Sequence, residues 1–112
     1  MTVRAVTLLA AKTLENSQTT QYSASNVTAI IDHCTATNYS SSAATVSVNI
    51  VAPSGSAANG NLIVKTKTLQ PSETYTFPEL VGGSIPPSGF ISTIAGTASA
   101  INMWITGREV TQ

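Results

Sequence analysis

Apolar and hydroxyl-bearing side chains alternate with a period of two along most of this chain. The clearest stretch is 44–52, where valine and isoleucine at even positions alternate with threonine, serine and asparagine at odd positions. No window sustains the spacing of three and four residues that an amphipathic helix requires. Because successive side chains of a strand point to opposite faces, the pattern predicts an all-β fold in which each strand has one apolar face.

Turn-forming residues divide the alternating pattern into seven or eight short strands. They are predicted at 3–10, 20–23, 26–38, 44–52, 62–70, 73–77, 90–94 and 98–110. Between them, the segment 81–89 contains a glycine pair and a proline pair, and we expect it to cross from one sheet to the other. This organisation predicts an antiparallel β-sandwich, jelly-roll-like in its connections. The length of 112 residues fits one domain, 1–112, with residues 1–20 able to act partly as an extended N-terminal arm.

The polar residues of this chain are hydroxyls and amides far more than charges. Seventeen threonines and fourteen serines accompany only five basic and five acidic residues, so 9% of the chain is charged, against about 25% in typical soluble domains. Such a surface is suited to lie against other protein. Lys65 and Lys67 fall on one face of a predicted strand, which we expect to lie in water or at a polar contact.

The same composition excludes two classes of partner. Basic residues form no cluster that could follow a phosphate backbone, which argues against nucleic acid. No apolar run approaches the roughly 18 residues needed to span a bilayer, which argues against a membrane protein.

Potentially reactive side chains meet only at Asp32, His33 and Cys34. In a regular strand Asp32 and Cys34 point to one face and His33 to the other, and the chain has no second histidine to serve as a base. The single cysteine cannot form an intrachain disulfide or a paired-thiolate metal site. Carboxylates are too scattered for a calcium loop or a glycosidase pair. We therefore predict a protein that is not an enzyme, with no cofactor and no metal.

Aromatic residues supply the candidate interface positions. Trp104 lies on the strand face opposite the apolar residues at 101, 103 and 105. If that triplet faces the core, Trp104 lies outside, as an interface anchor does; alternatively, both faces of the strand are buried between packed layers. Trp104, Tyr39 and Tyr75 are the predicted interface residues.

The order of strands and turns resembles that of small virion proteins of tailed bacteriophages, best exemplified by head decoration (cement) proteins. The resemblance covers nearly the whole chain and is carried by TATN at 35–38, SSSAATVSV at 40–48, IVAPSG at 50–55, NLIV at 61–64, LQPSETY at 69–75, ASAIN at 98–102 and ITGREV at 105–110. These are patterns of strand and turn, so no role of an individual side chain is carried over.

The resemblance implies a structural subunit without enzymatic activity that binds over joints between major capsid proteins and stabilises the phage head. The expected partners are the major capsid protein and further copies of the chain, as a dimer or trimer. The expected location is the capsid exterior, after synthesis in the host cytoplasm. Two alternatives remain open: a neck, tail or fibre-associated virion subunit, and a carbohydrate-binding attachment module.

Overall fold

The structure is a computed structural model that describes residues 1–111; Gln112 lies outside the described residues. Apart from one turn of 3-10 helix at Asn59–Asn61, its regular structure is entirely β. The described residues form nine strands: β1 (Thr2–Thr13), β2 (Thr19–Ser23), β3 (Val27–Asn38), β4 (Ala44–Val51), β5 (Leu62–Leu69), β6 (Thr74–Thr76), β7 (Ser84–Ile85), β8 (Phe90–Ala95) and β9 (Ile101–Thr111).

The strands form two antiparallel sheets that pack face to face, which confirms the predicted all-β sandwich. Sheet A has the order β1-β9-β3-β6, with β7 also pairing with β3, and sheet B has the order β2-β8-β4-β5. The pairs β1–β9, β2–β8, β3–β6 and β4–β5 are nested like the arms of one long hairpin, and successive pairs alternate between the sheets. A long hairpin wound in this way is a jelly roll.

The ninth strand, β7, was not predicted, because two residues are too few to show a period. It lies within the segment 81–89, which leaves sheet A after β6 and enters sheet B at β8, so the predicted crossing is confirmed.

The core lies between the sheets and consists of the predicted apolar faces. Val46 and Val48 of β4 and Met103 and Ile105 of β9 are almost completely buried, and Phe77 joins them from the end of β6. Each fully buried side chain of this size stabilises the fold by about 1.5–3 kcal/mol through removal of apolar surface from water.

Two β-bulges change the faces predicted from strict alternation. In β3 the pairing with β9 shifts between Ile31 and His33, so Ile31 and Cys34 are both buried while Asp32 and His33 both reach the outer surface. The prediction that Asp32 shares a face with Cys34 is therefore wrong, because the extra residue of a bulge resets the alternation.

The second bulge lies in β5 and redirects one of the two lysines. Thr66 adopts a left-handed conformation with φ of 46°, and the pairing of β5 with β4 shifts there. Lys65 stays exposed, but Lys67 is opposite the buried Val46 and its Nζ lies 4.5 Å from the centre of the Tyr75 ring. Lys65 thus lies in water, as expected, whereas Lys67 lies against the Tyr75 ring. The prediction that the two lysines share one face is wrong, because the bulge lies between them.

Candidate functional site

The outer face of sheet B is covered by the chain itself. Asn49 and Ser92 point outward from β4 and β8, yet each is only 2% exposed. Gln18, from the connection between β1 and β2, donates hydrogen bonds to Ser92 Oγ (2.8 Å) and Asn49 Oδ1 (3.3 Å). On the other side, Asn49 Nδ2 donates to Ala58 O (3.0 Å) and to Asn61 Oδ1. The loop after β4 and the β1–β2 connection therefore seal this face.

The outer face of sheet A, in contrast, has no covering segment in the described residues. Its outward positions alternate with the buried core positions of β1, β9, β3 and β6, and most of them are threonines. We call this surface the threonine face; it comprises Thr7, Thr13, Thr35, Thr37, Thr74, Thr76, Asn102, Trp104 and Thr106.

Hydrogen bonds between neighbouring strands hold several of these side chains in place. Thr13 Oγ1 donates to Asn102 Oδ1 over 2.7 Å, and the hydroxyls of Thr37 and Thr74 are 3.0 Å apart. Each bonded pair joins side chains of adjacent strands. The threonine face is thus a preorganised array of hydroxyl groups, which loses little conformational entropy when it is covered.

Charge is nearly absent from the threonine face. The ion pair that borders it joins Arg108 and Asp32, and the guanidinium donates to both carboxylate oxygens at 2.9–3.2 Å, so the pair is neutral. The other two salt bridges of the described residues lie at the side of the sandwich where β1 approaches β2. They join Lys12 to Glu15 and Arg4 to Glu109.

The carboxylates of these two salt bridges, Glu15 and Glu109, also have pKa values shifted from their ordinary value. Hydrogen bonds from Lys12 and Gln21 lower the pKa of Glu15 to about 2. Glu109 accepts from the Tyr22 hydroxyl and from Arg4, which lowers the pKa of its carboxyl. The chain has ten charged residues, and the four in these two salt bridges lie at the side of the sandwich rather than on its faces.

A shallow depression lies on sheet A beside the threonines. Its volume is about 650 Å³, and it is lined by Ala5, Val6, Thr7, Asp32, His33, Thr106 and Gly107. It forms where both strands that flank Gly107 are bulged, β1 after Thr7 and β3 after Ile31. Gly107 itself faces the core, because the Cβ that it lacks would lie 3.0 Å from Cδ1 of the buried Leu8. A Cβ at Gly107 would overlap the carbonyl oxygen of Ile30, so the close approach of β3 to β9 requires glycine.

The structure separates the three predicted interface residues. Trp104 is 47% and Tyr39 is 51% exposed, and both belong to the outer side of sheet A, where the Tyr39 hydroxyl lies 3.4 Å from Thr13 Oγ1. The residues at 101, 103 and 105 face the core, so of the two alternatives for Trp104 the structure shows the outward one. Tyr75 instead packs inward, with its ring centre 4.8 Å from that of Phe77.

Sequence reasoning did not identify Gly107, Gln18 or Asn49. Nothing in the alternation distinguishes a polar residue that is covered by a loop from one in water, and the depression depends on bulges that have no signature in the sequence.

Cys34 and His33 do not form a reactive pair. The Cys34 side chain is 1% exposed, and burial, with a smaller contribution from Glu79, raises the pKa of its thiol to about 12. His33 points to the opposite side. A thiolate is therefore not accessible at neutral pH, and in residues 1–111 no group of three His, Cys, Asp or Glu side chains is placed to hold a metal ion.

The edges of both sheets are protected against the addition of a further strand. β1 has two bulges and carries Arg4 and Lys12, β2 is short, and β5 combines a bulge with lysines. β6 has three residues and is flanked by Pro71 and Pro78. Bulges, charges, prolines and short length all discourage edge pairing, so the surface that remains open to another protein is a sheet face.

No helix in the described residues has the length and apolar composition needed to cross a bilayer. No family model matches the chain, and no curated protein and no solved structure is significantly similar to it. Function is therefore inferred from the residues and their geometry.

Proposed function

We propose that this chain is a structural subunit of a bacteriophage virion, a decoration protein that binds over joints between major capsid proteins on the head exterior. A fold alone does not assign a function, so the proposal depends on the contrast between the two outer faces. The face of sheet B is sealed by the chain's own loops, while the threonine face is open and without net charge.

An open face of this kind is suited to burial against a neighbouring protein. Covering charged side chains costs free energy unless each finds a partner, whereas threonine hydroxyls and methyl groups can be covered with small loss. Trp104 adds a large apolar side chain of the kind that anchors protein interfaces. A binding subunit needs no catalytic group, which agrees with the buried thiol of Cys34 and the isolated His33.

Copy number distinguishes head decoration from the neck, tail or fibre alternative. Quantitative mass spectrometry of purified virions is expected to find hundreds of copies per particle, and immunogold labelling is expected to mark the head exterior. Six or twelve copies per particle would contradict head decoration and favour the neck or tail. Absence from the virion would contradict both.

One observation favours a second candidate function, attachment to carbohydrate. Trp104 and Tyr39 are exposed on the same side of sheet A beside the hydroxyl and amide groups of Thr13 and Asn102. Aromatic rings next to neutral hydrogen-bonding groups are the elements with which proteins bind sugars. A glycan array distinguishes this candidate: binding by the natural chain that disappears in a folded Trp104→Ala variant would support it, and no binding to any glycan would reject it.

A further inference from the structure

The outer side of sheet A carries both a protruding side chain and a recess, on neighbouring parts of one strand. Trp104 projects from β9 and is 47% exposed, and the depression beside Gly107 begins at Thr106. With a rise of about 3.4 Å per residue, the indole and the depression are separated by about 7–10 Å along the strand.

This arrangement is self-complementary. Consider a two-fold axis that lies in the plane of the contact and crosses β9 between Trp104 and Gly107. Rotation about this axis places a second copy face to face with the first and exchanges the two ends of the strand. Each Trp104 then lies over the depression of the other copy, as an isologous interface requires.

The charges around the depression suit an indole. Arg108 lies beside it, and its guanidinium is held by Asp32 through hydrogen bonds of 2.9–3.2 Å. A guanidinium fixed in this way can stack on an aromatic face. The ion pair has no net charge, so two copies of the face can approach without repulsion.

The available area suits a weak dimer. β1, β3 and β9 have 11 or 12 residues each, which at about 3.4 Å per residue span about 37 Å, and three strands at about 4.8 Å spacing are about 14 Å wide. The outer side of sheet A therefore offers about 500 Å² per copy, with a small addition from the short β6 and β7. Two copies would bury about 1,000 Å² in total, the size of a weak, transient interface.

We infer that the threonine face binds a second copy of this chain, giving a two-fold symmetric dimer in which each Trp104 occupies the depression beside Gly107 of the other copy. The pairing is a property of the isolated chain and uses the same face that the proposed capsid contact covers, so binding to a capsid would replace the second copy. The mass of the isolated chain in solution tests the pairing, whereas copy number in the virion tests the virion assignment, so the two can fail separately.

Analytical ultracentrifugation of the purified chain over a wide concentration range tests the pairing. We expect a species of twice the 11.5 kDa chain mass that dissociates on dilution. Trp104→Ala should weaken the dimer by roughly tenfold or more, as loss of a central aromatic anchor does. Ile63→Ala, which removes a 44% exposed apolar side chain from β5, is the matched control and should leave the dissociation constant unchanged.

A charge-swap experiment tests the position of the axis. Thr106 lies close to it, so Thr106→Lys and Thr106→Glu each place like charges together across the interface. Each variant alone should be monomeric, with an unchanged circular dichroism spectrum, and an equimolar mixture should restore the dimer mass.

Three results would overturn the inference: a natural chain that stays monomeric at the highest concentration, equal effects of Trp104→Ala and Ile63→Ala, or dimers that persist in both Thr106 variants.

Discussion

Asn49 and Asn102 form a matched pair that tests whether the two outer faces of the sandwich differ as described. Both point outward from an inner strand of a sheet, but Asn49 is 2% exposed under the covering loops and Asn102 lies on the open threonine face. Asn49→Ala removes hydrogen bonds to Ala58 O (3.0 Å) and Asn61 Oδ1 and a longer one from Gln18 (3.3 Å).

At about 1 kcal/mol net for each hydrogen bond, with an added cost for partners left buried without water, Asn49→Ala should lower the free energy of unfolding by about 2–4 kcal/mol. Asn102→Ala loses one exposed hydrogen bond, from Thr13, and should change it by less than about 0.5 kcal/mol.

Urea denaturation followed by far-ultraviolet circular dichroism, at a concentration where the chain is monomeric, measures both values. Hydrogen exchange should also show faster exchange around residues 56–61 in Asn49→Ala alone. Equal losses of stability in the two variants, or a loss below about 0.5 kcal/mol for Asn49→Ala, would refute the idea that the chain seals the face of sheet B.

Three further predictions concern backbone packing, pH and thiol reactivity. Gly107→Ala should lower the free energy of unfolding by about 1–3 kcal/mol, because its Cβ overlaps Ile30 O; an unchanged urea midpoint would contradict this. The pKa of the Glu15 carboxyl is about 2 in the folded chain, below its ordinary value of 4.5. As the pH falls from about 4.5 towards 2, the unfolded chain binds this proton more readily than the folded chain does, so the free energy of unfolding should decrease. Glu15→Gln should reduce that slope in acid titrations of the urea midpoint, with an effect of about 1 kcal/mol or less because the ion pair is exposed; an unaltered slope would count against it. Burial of Cys34, whose thiol pKa rises to about 12, should protect it from iodoacetamide at pH 8 in the native chain but not in urea; rapid native labelling would show that the site opens.

The architecture could be predicted from sequence to the extent that it depends on local alternation. Strands such as β4 and β9 place apolar residues against the core and mainly polar residues on the opposite side. Their sequences therefore alternate with a clear period of two. The assignment of strands to sheets depends on long-range pairing, and a sandwich with jelly-roll connections was predicted only from the number and spacing of strands.

The details that escaped prediction have specific physical causes. A bulge inserts one residue without requiring any particular residue type. The alternation of apolar and polar residues therefore does not show that Asp32 faces outward and Lys67 faces inward. β7 is two residues long and is defined only by its pairing with β3, which a short sequence pattern does not show.

The candidate face was predicted in part. Trp104 and Tyr39 could be proposed as exposed aromatics, whereas the inward position of Tyr75 follows from its pairing with the buried Ala36. The asymmetry between the two sheets could not be foreseen, because it depends on where Gln18 and Asn61 rest after folding.

Hydroxyl-radical footprinting of Trp104 in assembled particles and in the dilute chain tests the central claim, that the threonine face is the contact surface. In the dilute chain both Trp104 (47% exposed) and Ile63 (44% exposed) should be oxidised. Assembly should protect Trp104 and leave the oxidation of Ile63 unchanged. Undiminished oxidation of Trp104 in the assembled state, with protection of Ile63 instead, would contradict the claim and place the contact on sheet B.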